Sequence, residues 1–557
     1  MFYPAILAGA AASTVFYVIV RLVYLAFFHP LAKYPGPFLS RVTNARASYY
    51  AWRGEIHIDV WRCHEKYGEF VRYGPNQLYV NTAKGLRDIY GPTTSNKFLK
   101  SSHYEVMTHQ TANTFTHRGG KEHLRRRRIM AQAVSTKAQL EYEPRLAAHI
   151  QKFCNIVLPP SVSGQEEEGK EKDKSPAWGQ PMNVAKWCNY LAFDMMADVV
   201  FGAQYDLLGS DKFRYVPEMI EKSNVRISSL VQFPGLSNWL RLDKHLFREA
   251  IYARNRFLKF VFILLRDRKA FSRGTLCGVF EKPPITHSNS SVDDAGGARP
   301  ASFDVYSRLQ EARDPVTGEA FGHEEIASES TTLIVAGSDT SACATASVLF
   351  YLANNPKAYA RAAAEVRSKV PSRHHLTAAN LSSCEYLRAC IDESLRMSPP
   401  VGTGLMREVA TAGGLVVDGQ VVPVGCEVGV GTYSIHHSAQ AYDDPFVYRP
   451  ERWLVAKATN EEERARVYSC FVPFSAGIRS CLGKGLAYTE MTLALGHLLF
   501  LGDFKLADDG ELAKVGRGDK ALGVEGRHRE GEYQLYDHIA GQKNGPWLQF
   551  TRRVEAE

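Results

Sequence analysis

The sequence predicts a mainly helical domain with a small β-region, preceded by one transmembrane helix at the N-terminus. Residues 192–200 and 257–265 are apolar segments of the kind that long helices contain. Residues 70–81 have the pattern of two short strands around a Gly-Pro-Asn turn, and residues 419–430 alternate as strands do. Residues 4–28 are almost wholly apolar, and a stretch of this length predicts a helix that crosses a bilayer.

The overall composition is that of an ordinary globular protein. Apolar residues make up 45% of the 557 residues and charged residues 23%. The net charge is +8, from 67 basic and 59 acidic residues; it gives no case for nucleic-acid binding but suits an anionic membrane surface or an acidic redox partner. The ten cysteines form no CxxC pair, so we expect reduced thiols in a domain that faces the cytosol.

The apolar N-terminal stretch has the charge pattern of an uncleaved membrane anchor. No Lys or Arg precedes Arg21, whereas a cleaved signal peptide normally opens with basic residues. Lys33, Arg41 and Arg46 follow the stretch, which predicts a lumenal N-terminus and a cytosolic domain. We therefore expect three parts: an anchor over residues 1–28, a proline-rich hinge over residues 29–40 and one domain over residues 41–557.

A cysteine between two glycines is the strongest candidate for a metal ligand. Residues 474–483 have the sequence FSAGIRSCLG, and Cys481 can supply a thiolate, the form of cysteine that binds haem iron. Gly477 and Gly483 would let the backbone turn tightly and approach a flat macrocycle, and Arg479 can reach a haem propionate. A zinc site does not fit, because no other Cys or His lies near Cys481 at ligand spacing.

The same ten residues resemble the cysteine-ligand signature of the cytochrome P-450 family, F-x-x-G-x-R-x-C-x-G. Phe474, Gly477, Arg479, Cys481 and Gly483 match it at every fixed position. The resemblance implies a cytochrome P-450 fold, haem b as the cofactor and Cys481 as the axial ligand of the iron. It covers the chain from about residue 30 to the end.

A basic helical stretch, residues 121–128 with the sequence KEHLRRRR, holds further candidates. Four consecutive arginines most often form a solvated or nucleic-acid-binding face. His123 and Arg127, however, lie four residues apart on one helix face. The resemblance implies that these two side chains hold a haem propionate, that Arg407 makes another propionate contact, and that the remaining arginines face a docking flavoprotein reductase.

A helix predicted over residues 323–354 carries the candidates for oxygen chemistry. Ala336, Gly337, Asp339 and Thr340 belong to the pentapeptide AGSDT, which in an arbitrary helix would most often serve close packing. The pentapeptide resembles the Ala-Gly-x-Asp-Thr element of the same family. This resemblance implies that Thr340 and Asp339 deliver protons during oxygen activation, and that Ala336 and Gly337 border the oxygen pocket.

One glutamate and two arginines are candidates for a structural role. Glu393 and Arg396 lie three residues apart on a helix predicted over residues 381–398, a spacing that usually gives a weak solvated pair. The resemblance implies that they correspond to the family's Glu-x-x-Arg pair and that Arg452, within the sequence PERW, supplies a second guanidinium group. We expect the three side chains to hold the cysteine loop from its proximal side.

Four further segments have expected positions. Residues 165–174 and 273–300 lack apolar periodicity and are expected to be surface segments without a domain boundary. Residues 401–406 would line the cavity beside the haem. Residues 536–550 resemble the terminal hairpin whose turn enters the substrate pocket of the family.

These features predict a membrane-bound haem-thiolate monooxygenase, anchored by a single span in the endoplasmic reticulum with its domain in the cytosol. Electrons from NADPH would arrive through NADPH-cytochrome P-450 reductase, with cytochrome b5 as a further partner, because the chain contains no nicotinamide fingerprint such as GxGxxG. The hinge, the DPVTG turn and PERW resemble filamentous-fungal benzoate-hydroxylase-like and secondary-metabolite enzymes. That resemblance implies a hydrophobic polyketide, terpenoid or alkaloid-like substrate.

Three other functions stay open at this point. The same haem chemistry can give desaturation, coupling or rearrangement instead of hydroxylation. Ring hydroxylation in aromatic-acid catabolism is a second alternative, and a non-enzymatic haem sensor or carrier is a third. A sensor would not need the acid and the alcohol of Asp339 and Thr340.

Overall fold

The computed structural model describes residues 2–92, 97–160, 178–238, 241–272, 304–458 and 461–553. The predicted surface segments at residues 165–174 and 273–300 lie outside these ranges. Helices dominate the described chain and four small sheets accompany them, which confirms the predicted fold class.

The helices follow one another along the whole chain. In chain order the α-helices are α1 Phe2–Val23, α2 Phe38–Val42, α3 Ala45–Trp52, α4 Ile56–Tyr67, α5 Ala83–Tyr90, α6 Gly120–Ala133, α7 Thr136–Val157, α8 Val184–Phe201, α9 Tyr215–Gln232, α10 Gly235–Asn238, α11 Asp243–Leu246, α12 Arg248–Ser272, α13 Val305–Glu311, α14 His323–Asn354, α15 Pro356–Lys369, α16 Ala378–Leu381, α17 Glu385–Met397, α18 Thr432–His436, α19 Glu451–Ala458, α20 Glu461–Ser469, α21 Lys484–Leu501 and α22 Gly510–Lys514.

The strands are short. They are β1 Phe70–Gly74, β2 Gln77–Val80, β3 Phe98–Lys100, β4 Met182–Asn183, β5 Arg407–Val409, β6 Leu415–Val417, β7 Gln420–Val422, β8 Glu427–Gly429, β9 Gly502–Leu506, β10 Tyr536–His538, β11 Ala540–Gln542 and β12 Trp547–Arg552. Five of them form a sheet in the order β1-β2-β8-β5-β3, and three form a sheet in the order β4-β12-β9. The pairs β6-β7 and β10-β11 are separate hairpins.

Two helical segments of the described chain are long and apolar enough to cross a membrane. One is Ile6–Phe28, which combines α1 with the π-helical turn Tyr24–Phe28, and the other is α14. The most apolar window of the first is 0% buried, whereas 72% of that of α14 is buried. The first segment therefore fits a single membrane anchor, and α14 is a core helix.

Helix α14 lies at the centre of the core and packs against α8, α17 and α21. Its residues 341–352 are buried, and many of them are Ala, Ser, Cys or Thr, which let neighbouring helices approach closely. The helix begins at His323 and ends at Asn354, the predicted bounds. It ends there because Pro356 has no N–H with which to continue the helical ladder and opens the next helix, α15.

The helix predicted over residues 381–398 is wrong in its start. A turn separates α16 from α17, which begins at Glu385. The carboxylate of Glu365, on α15, accepts the backbone N–H groups of Tyr386 and Leu387 at 2.9 and 3.0 Å. These N–H groups belong to the first helical turn and have no partner within the helix, so a residue from another helix fixes where α17 begins.

The carboxylate of Glu393 is buried where α17 meets α19. Arg396 donates to its two oxygens at 3.0 and 2.9 Å, and Arg452 donates to Oε1 at 3.0 Å. The Trp453 indole N–H and the Arg449 amide also donate, each at 3.0 Å. Burial alone would raise the pKa of Glu393, but Arg396 and Arg452 lower it, so the group stays ionised in the interior.

His436, on α18, connects this ion cluster to the cysteine loop. Arg396 donates from Nη1 to the His436 carbonyl at 2.8 Å, and His436 Nδ1 lies 3.1 Å from the Arg396 carbonyl. His436 Nε2 accepts the Val472 N–H at 2.9 Å, two residues before Phe474. Burial, aided by Arg396, lowers the pKa of His436 to about 3, so the ring is neutral and Nδ1 carries the proton.

Replacing Glu393 with Gln should lower the free energy of unfolding by roughly 3–5 kcal/mol, because two buried guanidinium groups lose their counter-charge. Denaturant unfolding of the full chain in detergent, followed by tryptophan fluorescence, measures the change. Glu511→Gln is the control, since Glu511 forms an exposed pair with Lys514 and its loss should cost less than ~1 kcal/mol. Equal losses in the two variants would contradict the role given to Glu393.

Candidate functional site

The cysteine loop lies between α20 and α21 and is closed by its own backbone. Cys481 donates its N–H to the Phe474 carbonyl at 2.9 Å. Gly477 has a φ of +66°, and a Cβ at this position would lie 2.0 Å from the Tyr90 carbonyl oxygen. The close approach of the end of α5 therefore requires glycine at position 477. The reason predicted from the sequence was a different one, the approach of the loop to a flat macrocycle. At Gly483, a Cβ would make an ordinary 3.9 Å contact with the sulfur of Cys481.

The thiol of Cys481 differs from the other cysteines of the described chain. Its side chain is exposed, whereas the other eight that the structure describes are buried. Desolvation by the surrounding protein nevertheless raises the pKa of its thiol. The backbone N–H groups of Gly483 and Lys484 and the charges of Arg127 and Lys484 act in the opposite direction. The loop thus presents the sulfur at the N-terminus of α21, whose amides and nearby cations partly offset the effect of desolvation on the thiolate.

Five basic side chains lie near this loop: Lys100, His123, Arg127, Arg407 and Arg479. Lys100, His123 and Arg407 are buried, and Arg127 and Arg479 are partly buried. Within the described ranges, none of the five has a carboxylate at ion-pair distance. Burial and then Arg407 and Arg127 lower the pKa of Arg479 to about 9. Burial, Arg479 and Arg127 lower the pKa of His123 to about 3.

The arginines of this cluster donate hydrogen bonds to neutral carbonyl and hydroxyl groups instead of carboxylates. Arg127 donates to the Ser480 carbonyl at 2.8 Å and to its hydroxyl at 3.1 Å, next to Cys481. Arg479 donates to the Arg118 carbonyl at 2.6 Å, and Arg407 donates to the Leu405 carbonyl at 2.9 Å. Like charges buried together are costly unless an anion compensates them. The two propionates of a haem whose iron is bound by Cys481 fit this requirement.

Lys100 belongs to this cluster but is absent from the sequence-based candidates. It lies on β3 directly opposite Arg407 on β5, in antiparallel register. Its ammonium group lies 3.3 Å from the ring centroid of Phe115 and donates to the Phe115 carbonyl at 2.5 Å. Burial, together with Arg407 and Arg479, lowers its pKa well below the usual value. Its only sequence signal is a lysine in a short apolar run, which is not specific.

The remaining arginines of α6 do not form a free basic face, contrary to the sequence-based expectation. Arg125 and Arg126 are buried and pair with Glu122 and Glu325. Arg128 donates to both oxygens of Asp314 at 2.6 and 2.8 Å. Their carboxylate partners come partly from α14 and from the turn before it, which is why the local pattern of four arginines was misleading.

Thr340 and Ala336 on α14 face an open space. The Thr340 hydroxyl donates to the Ala336 carbonyl at 2.7 Å, a hydrogen bond back to the previous helical turn. Ala336 is exposed and Thr340 partly exposed, although the next turns of the helix are buried. Gly337 faces the other way: a Cβ there would lie 2.4 Å from Met196 Cε. The absence of a side chain at Gly337 thus lets α14 pack closely against α8, and its place at the oxygen pocket stays a prediction.

Asp339 is buried beside α9. Its Oδ2 accepts from Asn224 Nδ2 at 3.2 Å. Burial raises the pKa of Asp339 to about 7 and Glu221 adds to the rise, while Lys543 and Asn224 oppose it. Lys543 itself lies 3.5 Å from Glu221. The Asp339 carboxyl can therefore both hold and release a proton near neutral pH.

A direct contact joins the helix of Thr340 to the helix of the cysteine loop. The Ser341 hydroxyl donates to Glu490 Oε2 at 2.6 Å, which ties α14 to α21 one residue from Thr340. Burial raises the pKa of Glu490 to about 7. The two halves of the candidate site are thus held together by their own helices.

Comparison with known proteins agrees with this arrangement. The cytochrome P450 family model matches residues 34–515. Cytochrome P450 monooxygenase AKT7 of Alternaria alternata is 39% identical over 97% of this chain and 97% of its own length. Cytochrome P450 monooxygenase poxM of Penicillium oxalicum is 39% identical over 99% and 96%, and atnE of Emericella nidulans is 40% identical over 95% and 93%. The chain therefore belongs to the cytochrome P450 family and is an oxidoreductase of the monooxygenase type.

Proposed function

We propose that this protein inserts one oxygen atom of O2 into a hydrophobic substrate in fungal secondary-metabolite biosynthesis. The observation that carries the proposal is the cluster of five basic side chains, among them Arg127, Arg407 and Arg479, without a carboxylate partner in the described ranges beside the Cys481 thiol. Family membership implies a haem with a thiolate ligand, and a bound haem supplies the oxygen-activating chemistry. The relatives' names contain the word monooxygenase, and their fungal sources support a fungal metabolic role.

The proximal side would hold haem b through charge. Cys481 is proposed as the axial ligand, with the Gly483 and Lys484 amides directed at its sulfur. His123 and Arg127 would hold one propionate, with Arg127 also bonded to Ser480, and Arg479, Arg407 and Lys100 would complete the contacts to the propionates. Phe474 packs its ring against Tyr488, with the centroids 5.1 Å apart, and thereby supports the loop from below.

The distal side would supply protons. One carboxyl oxygen of Asp339 accepts a hydrogen bond from Asn224, so the other oxygen can carry a transferable proton. The Thr340 hydroxyl can receive that proton by way of water and present it at the open space that it shares with Ala336. A non-enzymatic haem carrier would not need a buried carboxyl that titrates near neutrality beside a hydroxyl.

The partners follow from position and charge. Ile6–Phe28 would anchor the chain in the endoplasmic reticulum with the domain in the cytosol. Electrons would come from NADPH through cytochrome P-450 reductase, with cytochrome b5 as a further donor. Lys121, Lys137 and Lys484 are exposed on the helices that carry or flank the loop, and we propose that they meet the acidic partner.

Hydroxylation and desaturation use the same site, so the product decides between them. A mass gain of one oxygen identifies oxygen insertion, and a loss of two hydrogens identifies desaturation or coupling. Ring hydroxylation of an aromatic acid is a further outcome of the same measurement. A substrate-binding difference-spectrum screen on the purified enzyme supplies the compounds to test.

Replacing Cys481 with Ala should abolish the red-shifted Soret band of the reduced carbon monoxide complex, because that band requires a thiolate on the iron. Absorption spectroscopy of the purified protein measures it. Cys470→Ala is the control, since Cys470 is a buried thiol eleven positions earlier, and it should keep the band. A band that survives in Cys481→Ala would remove Cys481 as the ligand.

Replacing Thr340 with Ala should reduce the product formed per NADPH by about tenfold, because proton delivery is lost. In the wild type, this ratio should fall as the pH rises through about 7, where Asp339 loses its proton, and Asp339→Asn should remove that dependence. Ser338→Ala is the control, because the Ser338 hydroxyl also bonds back to the preceding turn but is buried. Unchanged coupling in Thr340→Ala would exclude the proton role.

Replacing Lys100 with Met should speed haem loss by about tenfold, since one charge-assisted contact to a propionate disappears. Transfer of haem to apomyoglobin measures the rate. Lys97→Met is the control, because Lys97 is exposed three positions earlier and should leave the rate unchanged. An unchanged rate in Lys100→Met would show that Lys100 does not contact the cofactor.

A further inference from the structure

The hinge between the membrane helix and the first strand is packed onto the domain. Leu31 is fully buried, and Tyr34 stacks on Phe70 with ring centroids 5.8 Å apart. The Arg72 N–H donates to the Pro35 carbonyl at 2.8 Å, so the hinge runs beside β1. A Cβ on Gly36 would lie 2.2 Å from the Arg72 carbonyl oxygen, which shows how closely the two segments approach.

Arg72, on β1, reaches from the domain to the end of the membrane helix. Its guanidinium is buried and donates to the Leu25 carbonyl at 2.9 Å, to the Arg41 carbonyl at 3.3 Å and to the Pro75 carbonyl at 2.7 Å. Leu25 lies in the last turn of the helix, where carbonyl groups have no partner within the helix and a cation is favoured. Burial lowers the pKa of Arg72 to about 10, so the group stays charged at neutral pH.

An exposed apolar surface continues from the membrane helix onto the domain. Phe27 and Phe28, at the helix end, are 62% and 71% exposed, and Phe38 and Leu39, on α2, are 66% and 52% exposed. Helix α2 packs against both the π-helical turn and β1. Its apolar side chains are thus held next to the point where the chain leaves the bilayer, and a lipid surface continuous with the anchor is the occupant that fits them.

We infer that Arg72 fixes the cytosolic end of the membrane helix to β1, so that the anchor and the domain move as one body and Phe38 and Leu39 enter the bilayer interface. The inference rests on the proposed membrane anchoring of residues 1–28. A freely moving tether would instead leave the domain without a preferred orientation. A fixed orientation would set which face of the domain meets the lipid from which a hydrophobic substrate enters.

The contact can be tested without a membrane, by hydrogen exchange on the full-length protein in detergent. The backbone N–H groups of Ala32, Tyr34 and Arg72 are hydrogen-bonded within this region and should exchange slowly in the wild type. Arg72→Lys cannot reach three carbonyls and should exchange these amides about tenfold faster. Arg46→Lys is the control, because Arg46 pairs with Asp59, and it should leave them unchanged. Rapid exchange in the wild type, or equal rates in both variants, would overturn the contact.

The orientation can be tested by linear dichroism of the haem in full-length protein in phosphatidylcholine nanodiscs. In the wild type, the haem plane should have one preferred tilt relative to the bilayer. Both Arg72→Lys and the double variant Phe38→Ser, Leu39→Ser should about double the spread of this tilt angle. Val316→Ser removes an apolar residue that is 73% exposed in the turn before α14 and should keep the wild-type tilt.

The outcomes separate this inference from the proposed function. Equal carbon monoxide spectra among the variants show that the haem site is intact. No preferred tilt in the wild type, or an unchanged tilt in the double variant, would overturn the lipid contact of α2. Extraction of the wild type from microsomes by carbonate would refute the anchor, whereas slow exchange in the wild type together with faster exchange in Arg72→Lys would still support the contact of the Arg72 guanidinium with Leu25.

Discussion

The structure depends on the burial of positive charge beside a thiol. Lys100 and Arg407 lie inside the protein near Arg127, Arg479 and the neutral ring of His123, with no carboxylate at ion-pair distance in the described ranges. Such a cluster opposes folding by itself, because like charges repel and lose hydration. A bound dianion removes this cost, so the stability of the domain and its occupancy by a cofactor are linked.

Two buried carboxyl groups differ in the role that their surroundings allow: one is structural, and the other can exchange a proton. Glu393 receives five donors, and Arg396 and Arg452 lower its pKa against the effect of burial. Asp339 receives one amide, and burial raises its pKa to about 7. The first is permanently ionised and holds the proximal side through His436, whereas the second can exchange a proton. Their environments, rather than their residue type, assign the two roles.

The sequence was informative where residues of one segment act together. The cysteine loop, the bounds of α14 and the contact between Glu393 and Arg396 involve spacings of a few residues that local patterns reveal. Lys100 and His436 escaped detection because the contacts that place them at the site, with Arg407 and Val472, span more than thirty positions of the chain. For the same reason, the pairing of Arg125 and Arg126 with Glu325 contradicted the local interpretation. The segments expected to line the substrate cavity have even less of a local pattern, so the sequence predicted only their approximate positions.

Arg72 and Arg479 illustrate the difference between a permanent structural contact and a proposed ligand contact in this protein. Arg72 donates from each of its three guanidinium nitrogens to the backbone carbonyls of Leu25, Arg41 and Pro75, so its donors have partners within the chain. Arg479 has one carbonyl partner and lies near Arg407 and Arg127, which lower its pKa, so its environment is incomplete without an anion. Because a satisfied guanidinium costs little further to keep in place, Arg72 can hold the membrane helix at all times. Arg479 would gain stability from an acidic ligand, and this difference supports the proposed cofactor contact at Arg479 and the proposed fixed contact at Arg72.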